Sequence, residues 1–156
     1  MKKSLILLGF KGVGKTTLGK KIAKVRGCPF VDTDELLEKK HQKTPRELYS
    51  ELGEEFFRAF ELEVLRNLDF SNSQVIALGG GSLETGFVFS GHTVCVHLKR
   101  DKEVLRMQLK KDRPAFLDEH NFDTLYCKRE KLYASVADYT LDVTQSRIVE
   151  KLSKLF

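Results

Sequence analysis

The 156-residue sequence lacks the features that mark membrane proteins, secreted proteins and proteins that bind metals through cysteine. Its three cysteines, Cys28, Cys95 and Cys127, are widely spaced and match no metal-ligand pattern, so we expect reduced thiols in a cytoplasmic protein. No apolar stretch is long enough to cross a bilayer. The apolar run near the start is broken at Gly9, far short of a signal peptide. These absences predict a protein without a membrane partner.

The sequence also has no long block of one charge, no internal repeat and no low-complexity linker. Its net charge of +5 comes from 27 basic and 22 acidic residues that are interspersed. We find no nucleic-acid-reading motif, and a basic enzyme of anionic substrates explains the charge equally well. The length suits one domain over residues 1–156, and we expect a monomer without a nucleic-acid partner.

What the sequence does contain is a phosphate-binding loop at residues 9–16, Gly-Phe-Lys-Gly-Val-Gly-Lys-Thr. Its glycines let backbone N–H groups turn toward a triphosphate, while Lys15 reaches the β- and γ-phosphates and Thr16 places its hydroxyl on Mg²⁺. The loop follows the apolar run Ser4–Leu8, which is typical of a buried parallel strand, and precedes an amphipathic helix that ends near Gly27. The context predicts a nucleotide-binding protein.

Short apolar segments alternate with segments of helical character, which predicts parallel crossovers and a three-layer α/β domain. Besides Ser4–Leu8, the predicted strands are Pro29–Thr33, Val75–Leu78, Thr93–Leu98 and Thr140–Val143. Beyond the helix after the loop, the predicted helices are Asp34–His41, Thr44–Leu52, Glu54–Leu68, Asp101–Lys111, Asn121–Tyr139 and Ser146–Leu155. The charged, proline-interrupted segment at about 110–120 is typical of a mobile lid.

Two carboxylates end the second predicted strand, at the sheet edge where open α/β folds bind ligands. Asp32 can face Mg²⁺, usually through water, while Asp34 accepts a hydrogen from a substrate hydroxyl. The alternative is structural, with Asp32 ending the strand and Asp34 capping the next helix.

The apolar stripe of the predicted helix 54–68 contains a carboxylate. Glu61 lies three residues after Arg58, so we expect it to orient that arginine and present its guanidinium fork to a substrate carboxylate. A solvent-exposed ion pair is the alternative.

In the predicted helix 121–139, Arg129 falls on the inward face, where a guanidinium needs an anion. That anion is either an internal acid or the substrate, and we favour the substrate.

Three consecutive glycines, Gly79, Gly80 and Gly81, follow the predicted strand Val75–Leu78. They indicate close approach of a ligand to the backbone, although a tight turn would also explain them. In the predicted lid, Arg113 is either a mobile cation for the transferring phosphoryl group or an ordinary surface arginine.

The whole pattern closely resembles shikimate kinase over nearly the full chain, in order and at fitting spacing. The segments that carry the resemblance are residues 12–19, 32–34, 57–61 and 79–81, Arg113-Pro114, and Arg129 with Tyr133 and 136–138. The resemblance implies a P-loop NTPase fold of the nucleoside-monophosphate-kinase type, with a five-stranded parallel sheet flanked by helices. It implies ATP-dependent, Mg²⁺-assisted phosphorylation of the 3-hydroxyl of shikimate, a step of chorismate and aromatic amino-acid biosynthesis.

The resemblance also implies a role for each matching residue. Arg58 and Arg129 meet the shikimate carboxylate, and Asp34 and the 79–81 backbone meet its hydroxyls, with acceptor-binding helices over about 34–68. Asp34 is the candidate base, and Lys15 and Arg113 stabilise charge. The metal ligands are Thr16 and Asp32, and the predicted ATP-binding residues are Gly12, Val13, Gly14, Lys15, Thr16, Thr17, Arg106, Arg113 and Gln145.

Two other kinds of protein are alternatives to a shikimate kinase. A gluconate-type or nucleotide kinase shares the P-loop and lid but does not obviously need both arginines and the triple glycine. A non-catalytic module of the same fold would be expected to lose Lys15, Asp34 or the acceptor arginines, and all are present.

Overall fold

The computed structural model describes residues 3–112 and 121–156, and the chain alternates strands and helices through these ranges. The strands are β1 (Ser4–Leu8), β2 (Phe30–Asp32), β3 (Val75–Ala77), β4 (Thr93–Lys99) and β5 (Tyr139–Asp142). The helices are α1 (Lys15–Arg26), α2 (Thr33–His41), α3 (Pro45–Arg66), α4 (Lys102–Asp112), α5 (Phe122–Val136) and α6 (Ile148–Ser153), with a 3-10 turn over Ser82–Thr85.

The strands form a single parallel sheet in the order β2-β3-β1-β4-β5. β1 is central because it is apolar at nearly every position, and Leu5, Ile6 and Leu7 are fully buried. Leu7 pairs with Ala77 of β3, and Leu8 pairs with His97 of β4, so these strands end at a common edge. The segments that follow β1, β2 and β3 therefore meet at that edge, where α/β folds bind ligands.

Local sequence explains where most helices begin and end. α1 ends at Gly27, whose left-handed φ of 62° directs its N–H back to the helix carbonyls. α3 begins with a reciprocal capping box between Thr44 and Glu47 and has proline in its first turn. We predicted two helices meeting at Gly53, and the structure agrees, because the helical path of α3 is broken at that glycine, whose φ of 82° and ψ of 172° are not helical.

α2 begins at Thr33, one residue before the predicted start, and Asp32 caps it, because Oδ1 of Asp32 accepts the Asp34 N–H at 2.9 Å. The predicted end of α5 was wrong because of a tertiary contact. α5 ends at Val136, and Tyr139, predicted to be helical, begins β5. Asp138 exchanges backbone and side-chain hydrogen bonds of 2.8 Å with Cys95 of β4, which draws the chain onto the sheet.

No helix within residues 3–112 and 121–156 is long and apolar enough to span a membrane. The predicted lid falls partly outside these residues. Lys110, Lys111 and Asp112 belong to α4, whereas 113–120 are not described.

Candidate active site

A cleft of about 400 Å³ opens at the carboxyl edge of the sheet and brings together most of the predicted site residues. The predicted residues that line it are Gly12, Gly14, Lys15, Thr16, Thr17, Asp32, Asp34, Arg58, Glu61, Gly80, Gly81 and Arg129. Val13 is buried in the core beneath the loop. The triphosphate loop and the two arginines thus share a single cavity.

The P-loop has the backbone that a phosphate cradle requires. Gly12 and Gly14 take positive φ values of 87° and 109°, which other residues rarely adopt. Nζ of Lys15 donates to the carbonyl oxygens of Gly9 at 2.6 Å and Phe10 at 3.1 Å. Burial lowers the pKa of Lys15 to about 8, against the opposing attraction of nearby carboxylates. The lysine is therefore held in the loop in its charged form at neutral pH.

Thr16 and Asp32 lie side by side at the start of α1 and the end of β2. Oγ1 of Thr16 donates to Oδ2 of Asp32 at 2.7 Å, while Oδ1 of Asp32 caps α2. The structural alternative assigned a helix cap to Asp34; because Asp32 fills that position, the Asp34 side chain points into the cleft.

Asp34 has the properties of a group that exchanges a proton near neutral pH. Burial raises its pKa to about 6, and the negative charges of Glu61 and Asp32 add to this effect. Lys15 and Lys11 act in the opposite direction. A carboxylate with this pKa is mostly ionised at neutral pH and is still basic enough to accept a proton.

Arg58 is held by carboxylates from two elements. Its Nη1 donates to Oε2 of Glu61, and Oε1 of Glu61 accepts the hydroxyl of Ser82 at 3.0 Å. The side chains of Arg58 and Glu61 are only 14% and 6% exposed, so this is not the solvent-exposed pair of the alternative interpretation. The Arg58–Glu61 contact fixes one arm of the guanidinium.

Arg129 has an internal acid as one of its partners. It is buried as predicted, and its Nε donates to Oε1 of Glu84 at 3.3 Å. We named an internal acid and the substrate as alternative partners and favoured the substrate. A guanidinium has several N–H groups and can bond the acid while it also meets a substrate anion, so substrate binding by Arg129 stays a prediction. The guanidinium also lies over the ring of Phe10, 5.6 Å from its centroid, and lines the cleft.

Two positions of the triple glycine pack against side chains of the protein, and ligand approach stays a prediction for Gly80 and Gly81, which line the cleft. A Cβ at Gly79 would lie 2.7 Å from Oδ1 of Asp34, and one at Gly81 would lie 2.4 Å from Nη2 of Arg58. Side chains of the protein therefore occupy the space at Gly79 and Gly81, and Gly79 does not line the cleft. Gly80 does line it, and its carbonyl accepts the hydroxyl of the buried Tyr133.

The predicted ATP-binding residues Arg106 and Gln145 lie away from the cleft lining. Arg106 stacks over Phe122, with its guanidinium carbon 4.8 Å from the ring centroid, and Nη2 bonds Asp123 at 2.6 Å. Gln145 follows β5 and accepts a hydrogen bond from Lys151 at 3.2 Å. Arg113 lies outside the described residues.

Sequence reasoning missed three charged residues of the site. Lys11 and Arg46 line the cleft, and the carboxylate of Glu84 bonds both acceptor arginines. Lys11 could have been found from its place inside the P-loop motif. Glu84 had no local signal, because an acidic residue in a short polar turn ordinarily faces solvent.

The comparison with known proteins agrees with this geometry. The model of the shikimate kinase family matches residues 11–156. The chain belongs to the shikimate kinase family.

Shikimate kinases that are similar to this chain match it over nearly its full length. One from Caldanaerobacter subterraneus is 36% identical over 156 residues, covering 95% of this chain and 91% of its own. One from Bacillus mycoides is 34% identical over 161 residues, covering 98% and 96%. The solved structure of shikimate kinase from Acinetobacter baumannii in complex with shikimate superposes with a TM-score of 0.82 at 27% identity, covering 99% and 90%. The predicted five-stranded parallel P-loop fold is confirmed.

Proposed function

We propose that this shikimate kinase family member transfers the γ-phosphoryl group of ATP to the 3-hydroxyl of shikimate, giving ADP and shikimate 3-phosphate. One observation carries the proposal. The P-loop lysine Lys15, the carboxylate Asp34 and the two buried arginines Arg58 and Arg129 line the same cleft. A triphosphate site and a carboxylate site in one cavity are what this phosphoryl transfer requires.

Lys15 and the loop backbone form the nucleotide side of the site. Nζ of Lys15 bonds the carbonyl oxygens of Gly9 and Phe10, and phosphate oxygens of ATP would replace these acceptors. The N–H groups at the start of α1 and the positive end of its dipole favour the same phosphates. Lys15 thus stabilises negative charge as the phosphoryl group moves.

The residues at the start of α1 and the end of β2 fit a Mg²⁺ ion. The hydroxyl of Thr16 and the carboxylate of Asp32 are oxygen donors 2.7 Å apart, the ligand type that Mg²⁺ prefers. Thr16 would bind the ion directly, Asp32 through water, and phosphate oxygens would complete the shell. When bound, the ion neutralises charge on the β- and γ-phosphates. No cluster of three or more His, Cys, Asp or Glu side chains in the described ranges forms a separate metal site.

The acceptor side orients shikimate and removes its proton. Arg58 and Arg129 bind the carboxylate, with Glu61 holding Arg58. Asp34 accepts the hydroxyl proton as the hydroxyl oxygen bonds to the γ-phosphorus, and the bond from that phosphorus to the ADP oxygen breaks. The roles of Arg106, Arg113 and Gln145 stay predictions. We place the enzyme in the cytoplasm on the cysteine pattern alone.

The competing functions are less well supported. A gluconate-type or nucleotide kinase also takes an anionic acceptor, so the two buried arginines alone do not exclude it, but the match to the shikimate kinase family over residues 11–156 favours shikimate. A non-catalytic module gives no reason to keep Lys15 and Asp34 buried with shifted pKa values, because burying charge is costly without a function for it.

Identification of the product tests the proposal. The protein is incubated with ATP, Mg²⁺ and shikimate, and the product is examined by phosphorus and proton NMR. We expect one phosphate ester, coupled to the ring proton at carbon 3. A phosphate on another hydroxyl, or release of inorganic phosphate without an ester, would overturn the assignment of Asp34 and the arginines.

A further inference from the structure

A buried carboxylate joins the two arginines of the acceptor site. Oε2 of Glu84 lies 3.0 Å from Nη2 of Arg58, and Oε1 lies 3.3 Å from Nε of Arg129. The Glu84 side chain is only 9% exposed, although it stands in the short 3-10 turn after the triple glycine. One residue from that turn thus bonds side chains from α3 and α5, which lie far apart in the sequence.

The charge balance explains how these groups can be buried together. Arg58 and Arg129 repel each other in a cleft that also contains Lys15. Burial acts against ionisation of Glu84, but the two guanidiniums outweigh it and lower its pKa below the usual value. Glu84 is therefore ionised at neutral pH, and with Glu61 it balances the charge of the two arginines.

The bonds of Glu84 also set how each guanidinium is presented. Glu84 holds Arg129 at Nε, and the Nη1 side of Arg129 borders Gly80, where an added Cβ would lie 3.4 Å from Nη1. Arg58 is held at both ends of its fork, by Glu61 at Nη1 and by Glu84 at Nη2. Neither arginine can rotate without breaking a charge-assisted hydrogen bond.

We propose that Glu84 is a positioning residue for the acceptor, which fixes Arg58 and Arg129 relative to each other so that both meet a single substrate carboxylate. The inference rests on the proposed function, because it assigns that carboxylate to shikimate. The direction in which shikimate affinity changes when Glu84 is removed distinguishes this role from simple charge balance. If Glu84 only diluted positive charge, its removal would tighten binding of an anion; if it positions the arginines, its removal weakens binding.

The test compares Glu84→Gln with Glu54→Gln. Glu54 is a suitable control because its carboxylate lies 4.0 Å from the same guanidinium of Arg58 but is 38% exposed. For Glu84→Gln we expect the shikimate Kd by calorimetry and the shikimate KM to rise about tenfold or more, with the ATP KM changed less than about twofold. The preference for shikimate over its methyl ester should fall by a similar factor. For Glu54→Gln we expect changes within about twofold.

A double-mutant cycle locates the effect. Lysine has no Nε–H group at the arginine position, so in an Arg129→Lys background Glu84→Gln should cause a smaller loss than in the unmodified protein, because only its bond to Arg58 is then left to break. If Glu84→Gln does not fold, Glu84→Asp serves instead, because its shorter side chain keeps the charge but cannot reach both arginines. Unchanged or tighter shikimate binding, or an ATP KM that rises equally, would overturn the inference. Failure of the unmodified protein to phosphorylate shikimate would instead overturn the proposed function.

Discussion

Thr16 and Asp32 connect the start of α1 to the end of β2 through one hydrogen bond, with Oγ1 of Thr16 2.7 Å from Oδ2 of Asp32. The other oxygen of Asp32 caps α2 through the Asp34 N–H at 2.9 Å. A single carboxylate therefore serves the proposed metal site and a helix terminus. A substitution that removes the charge of Asp32 but keeps a capping oxygen can therefore disturb the proposed metal site and leave the cap of α2 in place.

Asp32→Asn should raise the Mg²⁺ concentration needed for half-maximal turnover by about tenfold or more, because an amide loses the negative charge that orients the ion's water ligands. Asparagine remains a good helix cap, so folding should be retained. A Mg²⁺ titration of ATP turnover measures the effect, with Glu35→Gln, an exposed carboxylate in the first turn of α2, as control. An unchanged Mg²⁺ requirement for Asp32→Asn would remove Asp32 from the metal site.

The pH dependence should follow the two shifted groups of the cleft. Asp34 must be ionised to accept a proton, and its pKa of about 6 predicts that kcat/KM falls as the pH drops below that value. Lys15 must be protonated to stabilise the phosphates, and its pKa of about 8 predicts a second fall above that value. Because the groups interact, the two limbs report the pair. A profile that is flat from pH 5 to 9 would contradict both assignments.

Asp34→Asn should abolish most activity, by about 10²–10³-fold, because the base and its charge are lost. The same change should stabilise the fold by about 1–3 kcal/mol near pH 7, because the raised pKa means that ionised Asp34 is costly in the folded state. As the pH falls through about 6 toward 4 this gain should vanish, since Asp34 of the unmodified protein then becomes protonated in the folded state and, near its ordinary pKa, in the unfolded state as well.

Denaturant unfolding of the Asp34→Asn variant at several pH values, together with turnover, provides the measurement. Activity within a few fold of the unmodified protein would remove Asp34 from the mechanism. A variant that is less stable at neutral pH would show that the Asp34 charge is favourable where it lies.

Arg58→Lys and Arg129→Lys should each weaken shikimate binding by about tenfold or more and leave ATP binding nearly unchanged. Lysine keeps the charge that balances Glu61 and Glu84 but lacks the bidentate fork. Calorimetric titration with each ligand measures both affinities. Arg66→Lys, on the exposed side of α3, is the control. Equal losses of ATP and shikimate affinity would show that the arginines do not form a separate acceptor site.

Much of the fold and of the nucleotide side could be predicted because their signals are local. The first sixteen residues contain all three signals of the nucleotide side, which are the apolar run before the P-loop, the glycine spacing within the loop and the position of Lys15. The alternation of strands and helices then places the strand ends at one edge. Because Asp34 follows β2 directly, its position at that edge could be predicted in the same way.

The remaining features depend on contacts between distant segments. Whether Asp32 or Asp34 caps α2 is decided by where β2 ends in the sheet, since either side chain is capable of capping. The end of α5 is set by Asp138 bonding Cys95 of a neighbouring strand. Glu84 is buried only because Arg58 and Arg129 converge on it from two helices, and no pattern within its own turn indicates that.

The most direct test of the central claim is an ADP-release assay that offers shikimate, gluconate and nucleoside monophosphates side by side, with and without Mg²⁺. We expect Mg²⁺-dependent ADP release that requires shikimate and stays near background with the other acceptors. The rigid ring of shikimate holds a carboxylate for Arg58 and Arg129 and a hydroxyl for Asp34 at a fixed spacing, whereas gluconate is a flexible open chain and nucleoside monophosphates carry no carboxylate. Equal or faster turnover with gluconate or a nucleoside monophosphate would contradict the account.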